Sequence, residues 1–299
     1  MTVQDYTSRW SERVLVLKSR SSADNISSRL RLLNSFIGAL EIDRLDYSTI
    51  QDLFTKLASK YSPQSLRSYW GALHGLLVSA RQDRLVKEIP EAPQMPRVRL
   101  TAKPWYTAKE MRTLIDCSPH PLNGLLALLA ETGIRIGEAL ALDTNSIRGG
   151  LLTVDKNLYR GKPGPPKTDT SYRSLSLSGH LAESLAMLSE RQGAILFRNS
   201  NDHYLWPGDV AGVMRDKVAL SAQLEWRGFH AFRRGNVSLM RQLGVSPTIR
   251  LYREGHSPKG NFLEARYDQN IGLTPLERQE EKQWAEKIGQ EIQGDQENG

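Results

Sequence analysis

The sequence predicts a mainly α-helical fold with a small β-sheet (α+β), divided into two domains. Apolar residues recur at three- and four-residue steps over most of the chain, as on one face of a helix. The texture of strands is confined to two short stretches near the middle. A run with three prolines in seven residues, 90–96, separates two blocks of unlike pattern. At roughly 100–200 residues per domain, 299 residues suit about two domains.

The first block, 1–88, reads as a helical bundle. Ile26, Leu30, Leu33 and Ile37 form one apolar stripe, and Ile50, Leu53, Phe54 and Leu57 form a second, for which Ser48 and Gln51 make a capping pair. Ser62-Pro63 is a cap followed by proline at the first helical position. Leu66, Tyr69, Trp70, Leu73, Leu77 and Ala80 then define a third, longer helix. Residues 89–103 hold the prolines together with Arg97, Arg99 and Lys103, and predict an extended basic linker.

The second block, 104–273, opens on a capping box, Thr107 with Glu110. Helices are expected at 108–116, 121–131 and 136–142, the last two separated by a break at Thr132-Gly133. A β segment is expected at 151–155, a loop at 161–166, and a half-buried strand where Leu175 and Leu177 alternate with serines. Further helices are expected at 180–190, 208–222, 230–243, 247–253 and 259–268. Residues 274–299 form a capped terminal helix and an acidic tail. The helix carries the narrow stripe Trp284, Ile288, Ile292, which is expected to pack on its own domain or to dock in trans on a neighbouring subunit.

Composition excludes several classes. The mean hydropathy is −0.46, and no apolar run approaches the ~20 residues of a membrane span. The N-terminus lacks the basic-then-apolar pattern of a secretory signal, so an intracellular, cytoplasmic protein is expected. The single cysteine, Cys117, excludes an internal disulfide framework or a multi-cysteine metal site. The net charge is +7. Its two basic blocks precede an acidic tail, a distribution that suits a polyanion as much as an ordinary solvated surface.

Several segments could carry chemistry, each with a bland alternative. Arg135 follows the glycine break and Glu138 lies one turn on, which is also the pattern of a surface ion pair. Lys167 stands at an expected hairpin tip, where solvated lysines are common. His230 and Arg233, at i and i+3, place two donors on one helix face. His256 follows Gly255 at a helix end, the place of many capping groups. Tyr267 reads alone as a packing residue with a polar tip.

Taken in order, with these spacings and glycine contexts, Arg135, Glu138, Lys167, His230, Arg233, His256 and Tyr267 resemble the tyrosine recombinase (phage integrase) family over nearly the whole chain. The resemblance implies an N-terminal helical core-binding (SAM-like) domain at 1–88, the linker, and a mixed catalytic domain at 104–273. It implies cleavage and rejoining of DNA strands through a covalent 3′-phosphotyrosyl intermediate. Tyr267 would be the nucleophile, and Arg135, Arg233 and His256 the clamp on the phosphate oxygens. His230 would accept the phenol proton or orient the phosphate, Lys167 would be the general acid for the 5′ oxygen, and Glu138 would orient Arg135 or His230. No metal or other cofactor is implied, because fixed cations take that role.

The implied partner is double-stranded DNA at a specific recombination site, gripped by both basic domains. Arg67, Arg81, Arg97, Arg99 and Lys103 are candidate DNA contacts. Strand exchange between two duplexes implies a homo-tetramer on DNA, with a monomer or dimer when free. Accessory DNA-bending or directionality proteins are compatible with this reading. A DNA-binding regulator on the same scaffold and a type IB topoisomerase-like nicking-resealing enzyme are the alternatives.

Overall fold

A computed structural model of the chain describes residues 1–99, 101–166, 171–192, 195–255 and 273–294, with side chains at 189–192 excepted. Lys167, His256, Tyr267 and the helix expected at 259–268 lie outside them. The chain divides into two compact units, Met1–Ala102 and Lys103–Gly299.

The first unit is a bundle of α1 (Val3–Val14), α2 (Arg20–Ile37), α3 (Tyr47–Ala58) and α4 (Pro63–Gln82). The stripes expected from spacing are the ones buried: Leu30, Leu33 and Ile37 on α2, Ile50, Leu53, Phe54 and Leu57 on α3, and Leu66, Leu73 and Leu77 on α4. The long helix expected as the third is therefore the fourth. The structure adds α1, whose Thr2–Asp5 capping box starts a helix that buries Tyr6 and Trp10. It also moves the start of α3. Asp46, not Ser48, is the cap, accepting the Thr49 N–H at 2.8 Å, because a carboxylate there meets the first-turn donors directly. Part of the expected linker lies on this unit: Pro93 is buried and Gln94 donates its N–H to the Gln51 side chain at 2.8 Å.

The second unit is built around α6 (Leu122–Thr132). Leu125, Leu126, Leu128 and Leu129 on it are all buried, as are Ala130, Glu131 and Thr132, so its C-terminal half is enclosed. It packs against α5 (Ala108–Asp116), α7 (Ile136–Ala139), α8 (Gly179–Gln192) and α11 (Phe229–Gln242). Residues 207–221 run as α9 (Pro207–Val213), a π-helical turn at Met214–Val218 and α10 (Ala219–Ser221), where a single α-helix was expected. After α11 comes α12 (Pro247–Glu254).

The sheet is antiparallel in the order β1 (Ile147–Arg148), β2 (Leu151–Val154), β5 (Arg173–Ser176), with Val154 opposite Arg173. A separate hairpin pairs β3 (Asn157–Tyr159) with β4 (Lys162–Gly164), so part of the expected 161–166 loop is strand; Arg160 and Gly161, both at positive φ, make the turn. β5 is not half-buried as its serines suggested. Ser176 donates its N–H to Glu281 at 3.1 Å, and Ser178 Oγ donates to Glu131 Oε2 at 2.6 Å, so both serines are covered.

The element covering them is α13 (Pro275–Gln293), capped by Thr274 and Glu277 as the sequence indicated. Its stripe packs within its own unit. Ile288 and Ile292 are buried in the second-unit core, and Trp284 packs against it. In this single chain the stripe is therefore covered by its own unit. Arg112 holds its end, donating to the Glu291 and Ile292 carbonyls at 2.8 Å. No helix among the described residues is long and apolar enough to cross a membrane.

Glu131, at the end of α6, is buried beneath α13. Burial pushes its carboxyl up to about 7, against hydrogen bonds from Ser178 and Gln293 and the charge of Arg253. A carboxyl raised on folding stabilises fully below its ordinary value near 4.5 and loses that contribution as pH rises through 7. Glu131→Gln should therefore flatten the stability of the second unit between pH 4.5 and 7. At pH 8 it should make the variant more stable than the parent, by up to about 3 kcal/mol. Thermal melts at pH 5 and pH 8 check this.

Candidate active site

The break between α6 and α7 places the first cation. Gly133 ends α6 in the left-handed region, φ 65°, and a Cβ there would stand 2.6 Å from Asn236 Oδ1. Asn236 in turn donates to the Ala130 and Glu131 carbonyls at 2.7 and 3.0 Å, fastening α11 to the end of α6. The chain leaves the glycine extended, and Arg135 becomes the cap of α7. Glu138, one turn on and buried, accepts the Arg135 backbone N–H at 2.9 Å and its Nη1 at 2.7 Å. Arg135 keeps about a third of its side chain exposed, and its Nε and Nη2 have no hydrogen-bond partner among the described residues.

α11 supplies the next groups. Gly228, at φ 75°, caps the helix, and His230 and Arg233 follow at the expected i, i+3 spacing. Gly235 lets the helix lie against the backbone before α5, since a Cβ there would meet the Tyr106 carbonyl at 2.2 Å. Arg233 is buried. Its Nη1 donates to the Gly133 carbonyl at 2.8 Å, and its Nη2 donates to the Glu254 carbonyl at the end of α12. The second arginine is thereby tied both to the glycine break that positions the first and to the residue just before Gly255-His256.

One member of the cluster was not singled out from sequence. Arg173, the first residue of β5, is buried and donates through Nη2 to Glu138 Oε2 at 3.0 Å. Glu138 therefore holds two arginines, one on each carboxylate oxygen. A basic residue beside serines on a short strand reads as solvent-facing. Apart from the Ser171 carbonyl, its partners lie 35 and 80 residues away in sequence, so no local spacing marks it.

The electrostatics follow from this crowding. Burial alone would raise Glu138, but the charge and hydrogen bond of Arg173, with those of Arg135, hold it below its ordinary value as a fixed anion. Arg233 is lowered to about 10, first by burial and then by the positive charges of Arg135 and Arg173. His230 is lowered by partial desolvation and then by Arg233, Arg234, Arg135 and Lys103, so it is neutral at pH 7. Cations that depress one another in this way are most stable with an anion among them. The structure thus brings together Arg135, Glu138, His230 and Arg233 and adds Arg173. Lys103 is exposed and adds to the field at His230. Arg67, Arg81, Arg97 and Arg99 are exposed on the first unit. No placement is described for Lys167, His256 or Tyr267.

No family model and no curated protein matches the chain. Solved structures do. The Tn1549 transposon integrase in complex with transposon right end DNA superposes with a TM-score of 0.71 at 18% identity, covering 94% of this chain and 98% of that one. The same integrase with a circular intermediate DNA gives a TM-score of 0.73 at 17% identity, over 95% and 99%. The lambda integrase tetramer bound to a Holliday junction gives 0.67 at 16% identity, over 91% and 79%. The likeness establishes the fold, a mainly helical chain with a small antiparallel sheet, shared with these integrases.

Proposed function

We propose that the chain is a site-specific DNA recombinase that cuts and rejoins strands through a covalent 3′-phosphotyrosyl intermediate. The observation that carries the reading is the convergence of Arg135, His230 and Arg233 around the anchored carboxylate of Glu138, in a fold shared with integrases solved on DNA. The cluster has excess positive charge in a partly desolvated setting, which suits the extra negative charge of a five-coordinate phosphorus. Arginine offers a permanently charged planar fork for the non-bridging oxygens, and Arg135 retains donors to present one.

In this reading the Tyr267 oxygen attacks the phosphorus, the bond to the 5′ oxygen breaks, and Lys167 protonates the leaving oxygen. Neutral His230 accepts the phenol proton, and His256 adds a donor to the phosphate. The energy of the broken bond is kept in the phosphotyrosyl link, so a 5′-hydroxyl from a second strand reverses the step without a nucleotide. Arg67, Arg81, Arg97, Arg99 and Lys103 would contact backbone or groove. A DNA-bound tetramer is the corresponding assembly, with a monomer or dimer free of DNA, and the cytoplasm the corresponding place of action.

A nicked suicide substrate carrying the recombination site tests this. Loss of the short 5′ fragment should trap the chain on DNA as an adduct that survives denaturation, and Tyr267→Phe should form none. DNA binding with no adduct would instead mark a regulator, and adducts that never yield joint products between two duplexes would mark a nicking-resealing enzyme.

The lowered pKa of His230 sets a pH dependence. Its imidazole takes up a proton at a lower pH than an ordinary histidine, because partial desolvation and the surrounding arginines disfavour the charged ring. Single-turnover cleavage should fall on the acid side, with its midpoint displaced below the ordinary 6.5 of a histidine. His230→Gln should be slower by about 10²-fold and lack that acid limb.

A further inference from the structure

We propose that Arg173 is a positioning residue of this site, an inference that rests on the recombinase reading above. Its guanidinium is buried and makes three hydrogen bonds that each end on a different part of the site. Nη2 reaches Glu138 Oε2 at 3.0 Å, the carboxylate whose other oxygen fixes Arg135. Nε reaches the Arg253 carbonyl at 2.9 Å, in the last turn of α12, two residues before Gly255 and next to the carbonyl that Arg233 holds. Nη1 reaches the Ser171 carbonyl at 2.8 Å, on the chain leading in from Lys167 to β5. One planar group thus ties together Glu138 on α7, Ser171 ahead of β5 and Arg253 at the end of α12.

The chemistry of the group fits this task better than a packing role. Burying a guanidinium costs several kcal/mol unless its donors and charge are met. Here the carboxylate it pairs with, Glu138, is shared with Arg135, and the charge of Arg173 also lowers Arg233. An apolar residue would fill a strand position flanked by Leu175 and Val154 at less cost. What the arginine supplies is geometry. Without it Glu138 is held by Arg135 alone, and Arg135 loses the external anchor that its carboxylate gives; a displacement of about 1 Å in such a clamp costs on the order of 10²-fold in rate. Lysine carries the same charge but cannot span three acceptors in one plane.

The test uses the full chain and a nicked DNA substrate. Arg173→Lys should bind the duplex within about twofold of the parent, with an unchanged salt slope, yet cleave about 10- to 100-fold more slowly at saturating DNA. Glu138→Gln should lose a similar factor. The double variant should be no slower than the slower single one, because one residue acts through the other. Recombination reading and inference fail separately. If the parent forms no covalent adduct the reading falls. If the parent forms one, the inference is overturned by Arg173→Lys cleaving at the parental rate, by losses that multiply in the double variant, or by an Arg173→Lys chain that no longer melts cooperatively.

Discussion

Arg135→Ala should leave a folded chain that cleaves DNA strands at least about 10³-fold more slowly than the parent. Its side chain is partly exposed and makes one described hydrogen bond, to a carboxylate that Arg173 continues to hold. The Arg135 backbone N–H keeps its own bond to Glu138 whatever the side chain. Little stability is therefore at stake, and the loss should fall on the chemical step. Arg233→Ala should lose as much rate and also be destabilised, by about 2–4 kcal/mol, because the Gly133 and Glu254 carbonyls lose a charged donor inside the protein. Single-turnover cleavage and urea unfolding, measured on both variants, separate the two cases. Equal stability losses would show that Arg135 is a structural group.

The second large effect concerns the buried ion pair under the C-terminal helix. Arg253, at the end of α12, and Glu281, on α13, are both fully buried and hydrogen-bonded to each other. Arg253 also donates to the Glu131 carbonyl at 3.0 Å. Glu281 accepts the Ser176 N–H from β5, and Arg278 stands 3.5 Å from its other oxygen. Arg253→Ala removes one partner and leaves a buried carboxylate facing β5. A loss of about 3–5 kcal/mol is expected for the second unit, read as a lower urea midpoint. Replacing both residues by apolar ones of similar volume, Arg253→Met with Glu281→Leu, should recover most of it, because no uncompensated charge remains. A double variant as unstable as the single one would mean that the hydrogen bonds to Glu131 and Ser176, rather than the charges, set the cost.

What was legible in the sequence was what is local. α5 spans the predicted residues because Thr107 and Glu110 close a capping box at one end, and Cys117 follows the last apolar step at the other. Thr274 with Glu277 starts α13, and Gly133 ends α6, for the same kind of reason. The charged members Arg135, Glu138, His230 and Arg233 were legible only together, through the order and glycine contexts that resemble the tyrosine recombinase family, since each local spacing alone also suits an ordinary surface group. The missed features depend on distance. Arg173 is defined by partners on α7 and α12. Ser176 and Ser178 look solvent-facing until α13 covers them. The stripe of Ile288 and Ile292 announces a contact but not its partner, and in this chain it is the core of the second unit.

On the proposed function, the Tyr267 oxygen joins a DNA phosphorus held by Arg135 and Arg233. Tandem mass spectrometry of the adduct trapped on nicked DNA, digested with protease and nuclease, tests it most directly. One modified peptide is expected, carrying a nucleotide through its 3′-phosphate on Tyr267. The peptide should be absent from Arg135→Ala and Arg233→Ala digests taken at the same early time. A nucleotide attached to another side chain, or linked through a 5′-phosphate, would contradict it.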